Sequence, residues 1–376
     1  MSEGELLGAY TTLGVGGPAA DLRTATTRAE LVEAALESWS HYEDPFVLGG
    51  GSNVVISDAG YAGLTILLRT RGIERLDAEP GRVRLLVEAG EDWDGLVAHT
   101  VAEGWSGIEA LSGIPGSVGA APIQNIGAYG QELASVLVAV HLLDRSDREL
   151  RRVPAVELGL GYRRSVLKRF DGQPPVRDAI VVAVEIELSD RAGLGEPLAF
   201  PQLAQALGAE LGAERPVAEV REQVLALRRS KGMVSDAADP DSRSAGSFFT
   251  NPIVPAVIAR GLPAEAPRWP VQDETAEPVV IALDRYDGTL PERSASAPDH
   301  VKLSAAWLIE HAGVSRGFAL PGSRAAISSK HTLALTNRGG ATAEQVLALA
   351  RYVQARVQSE FGVGLVPEPV VVGFEE

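Results

Sequence analysis

The chain has 376 residues, 45% apolar and 22% charged, an ordinary globular composition with material for two or three cores. A formal net charge of −16 argues against a nucleic-acid or anionic-membrane partner, so any anionic ligand must be met by local donors. There is no cysteine, which excludes disulfides, thiolate nucleophiles and Cys-based metal sites, and the six histidines are scattered without a His-Glu-x-x-His pattern.

Residues 11–19 nominally match a Gly-x-Gly-x-x-Ala dinucleotide fingerprint through Gly14, Gly16 and Ala19. A polar segment precedes them and the next helix opens well downstream, so the match is discounted. Thr27 and Glu30 form a capping box for that helix, with Leu31, Ala35 and Trp39 on one face. Two short apolar runs between Phe46 and Asp58 are then joined by Gly49, Gly50, Gly51, Ser52 and Asn53. Three adjacent glycines let backbone N–H groups converge on one anion, and Ser52 and Asn53 add side-chain donors. A plain hairpin connection is the competing reading. Residues 64–68 and 83–89 read as strands, and 92–103 as a helix stopped by Gly104, so helix and strand are mixed.

Residues 107–130 form a second Gly-rich stretch, nearly free of charge, suited to backbone lying flat against a ligand with Ser117, Gln124 and Asn125 as polar contacts. Pro115 stands where a Gly-x-Ser-x-Gly nucleophile elbow needs glycine, which weakens a serine hydrolase. Strands are predicted over 138–144, 149–153 and 180–188. Between the last two, Ser165 and Lys168 give a chance Ser-x-x-Lys match, while Arg163 and Arg164 beside a Gly-Tyr turn are either surface charge or a carboxylate clamp. A helix over 216–229 buries Val217, Val220, Val224 and Leu227; Arg228, Arg229 and Lys231 favour its C-terminus or meet a diphosphate. The most individual motif runs from Gly246 to Pro252, with Ser247 before two aromatics. Residues 253–300 are Pro-rich and irregular around a strand at 279–283. Helices are predicted over 303–312 and 342–361, the second with Thr342 and Gln345 as a capping box, and a strand over 332–336 after Ser328-Ser329-Lys330-His331. Glu368 is the one acid in an apolar closing run. It either reaches solvent or, desolvated, has a raised pKa and serves proton transfer.

The ordered set Gly-Gly-Gly-Ser-Asn, Gly-Ile-Pro-Gly-Ser-Val-Gly-Ala, Gly-Tyr-Arg-x-Ser, Gly-Ser-Phe-Phe-x-Asn-Pro and a late Pro-Glu resembles the UDP-N-acetylenolpyruvoylglucosamine reductase family, in its longer-chain type I, over nearly the whole chain. The resemblance implies an α+β FAD-binding fold of the vanillyl-alcohol-oxidase (PCMH) type in two subdomains, 1–70 and 71–222, then a C-terminal α/β substrate-binding domain, 223–362, and a closing segment, 363–376. It implies noncovalent FAD held by Gly49–Asn53 and by Ile114, Pro115, Gly116, Ser117, Gly119, Ala120, Gln124 and Asn125. NADPH is the implied reductant, with hydride passing through the flavin to the enol ether of a UDP-sugar. Arg163 and Glu368 match the residues that stabilise the enolic charge, Ser247 matches the proton donor to C2, and Tyr162, Lys231 and Asn251 fall at substrate contacts. One departure appears: Phe200 stands where this type carries a lid tyrosine, which keeps ring bulk and loses a hydroxyl. A rival reading is another flavoprotein of the same fold, which needs neither the Ser247 motif nor Glu368. No apolar run has the length of a membrane span and no signal layout opens the chain, so a cytoplasmic protein is expected; a monomer with small-molecule partners and no metal is expected alongside.

Overall fold

Strand β1 (Ala19–Ala25), helix α1 (Arg28–Ser40) and strands β2 (Phe46–Leu48), β3 (Val54–Ile56) and β4 (Tyr61–Leu68) form the first unit of a computed structural model that describes residues 5–41, 43–168, 174–271 and 300–374. β1, β4 and β2 lie parallel in that order, and α1 supplies the crossover such a sheet requires. The capping box of α1 is complete: Glu30 N donates to Thr27 Oγ1 at 3.2 Å, and Thr27 N donates to Glu30 Oε2 at 3.2 Å. Leu31, Ala35 and Trp39 are buried, as their spacing predicts.

The second unit holds β5 (Ile73–Leu76), β6 (Arg82–Glu88), α2 (Trp93–Ala102), β7 (Trp105–Ser106), the small hairpin β8 (Gly127–Ala128) and β9 (Gln131–Glu132), β10 (Leu137–Asp144), β11 (Leu150–Pro154) and β12 (Ala179–Asp190). Its antiparallel sheet runs β11-β10-β12-β6-β5, with β7 also paired to β12. One apolar core serves both units, joining Leu31 and Ile66 to Val87, Trp93, Val140 and Val184. Helices α3 (Pro201–Ala206) and α4 (Val217–Ser230) add a satellite core around Leu203, Val220 and Val224. The division expected between 222 and 223 falls inside α4, which is continuous through Ser230.

The third unit contains β13 (Ser244–Ser247), β14 (Ile253–Pro255), α5 (Ala256–Arg260), β15 (Arg268–Val271), β16 (His300–Leu303), α6 (Ala305–His311), β17 (Ala325–Ile327), β18 (Ala334–Asn337) and α7 (Ala343–Phe361). Two antiparallel sheets, β13-β18-β17 and β14-β16-β15, pack with α6 and α7 around Phe248, Phe249, Leu308 and Val353. Part of the stretch read as irregular is therefore ordered, because β14 and β15 each find a partner in β16. The strand expected at 279–283 lies outside the described residues. Leu303 ends β16 rather than opening a helix; α6 begins after Ser304, whose Oγ accepts from Trp307 N. The last strand, β19 (Val370–Val372), returns to pair in parallel with β3, Val370 opposite Val54. That pairing carries the C-terminal segment back to the first Gly-rich loop, and Leu13, Val15 and Val55 in turn enter the third unit's core. Among the described residues no helix is long and apolar enough to cross a membrane.

Candidate active site

The loop after β2 and the loop before β8 meet backbone to backbone. A Cβ on Gly50 would stand 2.5 Å from Gly116 Cα, and one on Gly49 would collide with Ser117 Oγ. Gly116 itself has φ +126°, open to glycine but not to an L side chain, and its own Cβ would stand 2.7 Å from Ser52 Oγ. The glycines are therefore needed first for protein to approach protein. Asn53 Nδ2 spans the two loops, donating to Gln124 Oε1 at 2.8 Å and to the Glu368 carbonyl at 3.3 Å. Ser117 Oγ is buried with no hydrogen-bond partner. Leaving a buried hydroxyl unpaired costs about 1–3 kcal/mol, so this orphan donor marks a place where a bound group completes the site. Two Gly-rich loops around an unsatisfied hydroxyl fit the phosphate-bearing cofactor that the motifs imply.

Other residues of the second loop have different surroundings. Ile114, Pro115 and Gln124 line the cleft beside the cradle, Gly119 lies against Ala89, and Ala120 is exposed. Asn125 turns its side chain inward, donating to Glu132 Oε2 and the Gly161 carbonyl and accepting from Ala134 N, so it shapes the loop from behind.

Across a cleft of about 300 Å³ stands a wall of side chains from distant segments. Arg163 sits at φ +52°, a conformation that costs a non-glycine residue about 1–3 kcal/mol and recurs at functional sites. Its Nη2 donates to the Gly127 carbonyl at 2.8 Å, its Nη1 to the Asn125 carbonyl at 3.3 Å, and its Nε lies 3.2 Å from Glu368 Oε1. Glu368 N donates to the Phe248 carbonyl at 2.9 Å, which sets the residue beside the strand bearing Ser247. Burial pushes the Glu368 carboxyl above its ordinary range, opposed by Arg163 and Lys168.

Ser247 Oγ lies 3.3 Å from His331 Nε2. Burial, with Lys231 and Arg228 nearby, lowers the His331 pKa to about 4, so the imidazole is neutral at neutral pH. Lys231 Nζ donates to Gln202 Oε1 at 3.1 Å and stands 5.6 Å from the ring centre of Tyr129; burial and Arg228 lower its pKa. Phe200 borders the same cleft, edge-on to Tyr129 at 5.7 Å. Sequence reasoning missed His331, Tyr129 and Gln202. The one available signal was a histidine closing a tight Ser-rich turn before a strand.

The expected substrate contacts are divided between two hollows. Lys231 borders the cleft with Ser247, whereas Tyr162 and Asn251 line a groove of about 820 Å³ on the other side of Arg163 and Glu368, which border both. Asn251 N donates to Tyr162 Oη at 3.4 Å, and Asn251 Oδ1 accepts from Ala305 N at 3.0 Å.

Residues 20–153 match the family model "FAD binding domain", and residues 239–372 match "UDP-N-acetylenolpyruvoylglucosamine reductase, C-terminal domain". With the cradle and the wall facing it, these define an FAD-dependent oxidoreductase. Among curated relatives, the UDP-N-acetylenolpyruvoylglucosamine reductase of Leifsonia xyli subsp. xyli is 53% identical over 384 residues, covering 100% of both chains. That of Saccharopolyspora erythraea is 48% identical over 369 residues, covering 98% of this chain and 95% of its own. A solved structure of the reductase from Thermus caldophilus superposes with a TM-score of 0.60 at 29% identity, covering 98% of each chain. The chain belongs to the UDP-N-acetylenolpyruvoylglucosamine reductase family.

Proposed function

We propose that this chain works as a cytoplasmic monomer that reduces UDP-N-acetylglucosamine enolpyruvate to UDP-N-acetylmuramate with NADPH, in peptidoglycan precursor synthesis, and that Arg163, Ser247 and Glu368 carry the reduction. The carrying observation is the convergence of Arg163, Glu368 and the Ser247–His331 pair on one cleft bordered by the cradle loops. Gly49–Asn53 and Ile114–Ser117 hold FAD, with the Ser117 hydroxyl supplying a donor to it. FAD supplies hydride carriage between NADPH and the enol ether.

Charge that develops at C2 and on the attached carboxylate of the substrate needs donors already in place. Arg163 is fixed by two backbone carbonyls and by Glu368, so its guanidinium meets that charge without reorganising. Ser247 delivers the proton to C2. A hydroxyl is a weak acid, and His331 at 3.3 Å orients and polarises it while the Lys231 cation borders the same cleft. Lys231 binds the substrate within the cleft, and Tyr162 and Asn251 bind the part of it that reaches the groove beyond Arg163 and Glu368.

The test is an anaerobic stopped-flow experiment in two stages. NADPH is expected to bleach the yellow protein, and the enolpyruvyl UDP-sugar to restore its colour while one equivalent of saturated product forms. A reduced protein that this nucleotide leaves bleached contradicts the assignment.

A further inference from the structure

Three segments that carry cleft residues meet at one buried carboxylate outside the cleft. Asp241 lies in the short turn Pro240–Ser242, just before the strand of Ser247, and is 3% exposed. Its Oδ1 accepts from Ser329 N at 2.8 Å and from Arg338 Nη2 at 3.1 Å, and its Oδ2 accepts from Ser329 Oγ at 2.6 Å. Ser329 belongs to the turn that presents His331, in which Ser328 Oγ accepts from both Lys330 N and His331 N. On its other side Asp241 packs on Gly232, directly after Lys231 at the end of α4. A Cβ on Gly232 would stand 2.8 Å from Asp241 Cβ. Asp239 holds the same turn from outside through Lys330 Nζ at 2.8 Å.

A carboxylate with this many charge-assisted bonds is ordinarily a fold cross-link. Here, Arg338 apart, the segments it joins carry cleft residues: Ser247, His331 and Lys231. The contact it governs is also sensitive, because 3.3 Å is at the long end of the hydrogen-bond range and a small shift of the His331 turn breaks it. We propose that Asp241 is a positioning residue for the reduction step, locking the His331 turn and the Lys231 helix end against the strand of Ser247. The proposal rests on the roles given above to Ser247 and His331.

The test uses the full-length, FAD-loaded protein and measures each half-reaction by anaerobic stopped flow. Asp241→Asn preserves size but removes the charge that Arg338 meets, and it puts a donor where an oxygen accepted, so Ser329 Oγ can keep its contact only by turning from donor to acceptor. Flavin reduction by NADPH is expected to stay within about twofold of the wild type, while substrate reduction slows roughly ten- to a hundredfold. In a His331→Ala background the same substitution is expected to cost clearly less than it does alone, because the two changes share the Ser247–His331 contact. Ser329→Ala removes only the Oγ–Oδ2 bond, gives the same pattern at lower amplitude, and serves where Asp241→Asn fails to retain FAD. Equal slowing of both half-reactions, or full additivity with His331→Ala, overturns the proposal and leaves Asp241 a fold cross-link. A slow His331→Ala beside fast Asp241→Asn and Ser329→Ala overturns the proposal alone. A His331→Ala variant that reduces substrate at the wild-type rate overturns the site assignment and the proposal with it.

Discussion

The cradle and the wall facing it are built by opposite means. Gly49–Asn53 and Ile114–Ser117 are two continuous stretches without charged side chains, fixed by the close approach of their backbones. The wall is made of Arg163, Ser247, His331 and Glu368, brought from four segments and held by side-chain bonds in a partly desolvated place. The cradle is therefore sensitive to volume and the wall to chemical identity. Damage to the first should cost the cofactor; damage to the second should cost one half-reaction and leave the cofactor bound.

The largest effect is expected at Gly50. In Gly50→Val the new side chain begins 2.5 Å from Gly116 Cα, a backbone atom that cannot swing aside. The purified variant should be colourless after desalting, and a flavin-to-protein absorbance ratio equal to the wild type's would show that the two loops do not need this approach. Arg163→Lys comes next. An ammonium cannot hold the Gly127 and Asn125 carbonyls and Glu368 in one planar fork. The variant should stay yellow and reduce substrate about a hundredfold more slowly in single turnover, a loss typical of one preorganised donor. Loss of flavin from this variant would erase the contrast between the two regions.

The smallest effect concerns pH. The folded His331 pKa of about 4 lies below the ordinary 6.5. Below pH 6.5 the unfolded chain takes up a proton there that the folded chain refuses, so this group's share of stability falls as pH drops from 6.5 towards 4. Thermal melts of His331→Asn across that window should show a shallower decline than the wild type. Parallel curves would mean that the imidazole is not held neutral.

The same contrast explains what can be read in advance. The α1 capping box, the buried face of α4 and the glycine loops are local patterns, and the structure has them where periodicity and turn chemistry place them. β1 escapes a sequence reading because Asp21, Arg23 and Thr24 interrupt its apolar pattern, and its pairing partner β4 lies beyond a whole helix. The β3–β19 pair, which sets Glu368 beside Asn53, joins residues more than three hundred positions apart and leaves no local trace. Gln345 reads as the second half of a capping box, but its Oε1 accepts from Arg324 N, a tertiary partner that sequence spacing cannot reveal. Arg228 reads as a helix-end cation; it is buried, donating to the Gly113 carbonyl at the root of the second glycine loop. Ser247, Arg163 and Glu368 are reached through family motifs, whereas His331 depends on a contact made only after β13 pairs with β18.

The proposed proton delivery by Ser247 is separate from the cofactor cradle. Anaerobic stopped flow on Ser247→Ala tests it most directly. NADPH is expected to reduce the bound flavin at the wild-type rate, while substrate reduction slows by at least about a hundredfold, the lower range for lost acid catalysis. Equal slowing of both half-reactions, or substrate reduction at the wild-type rate, would contradict it.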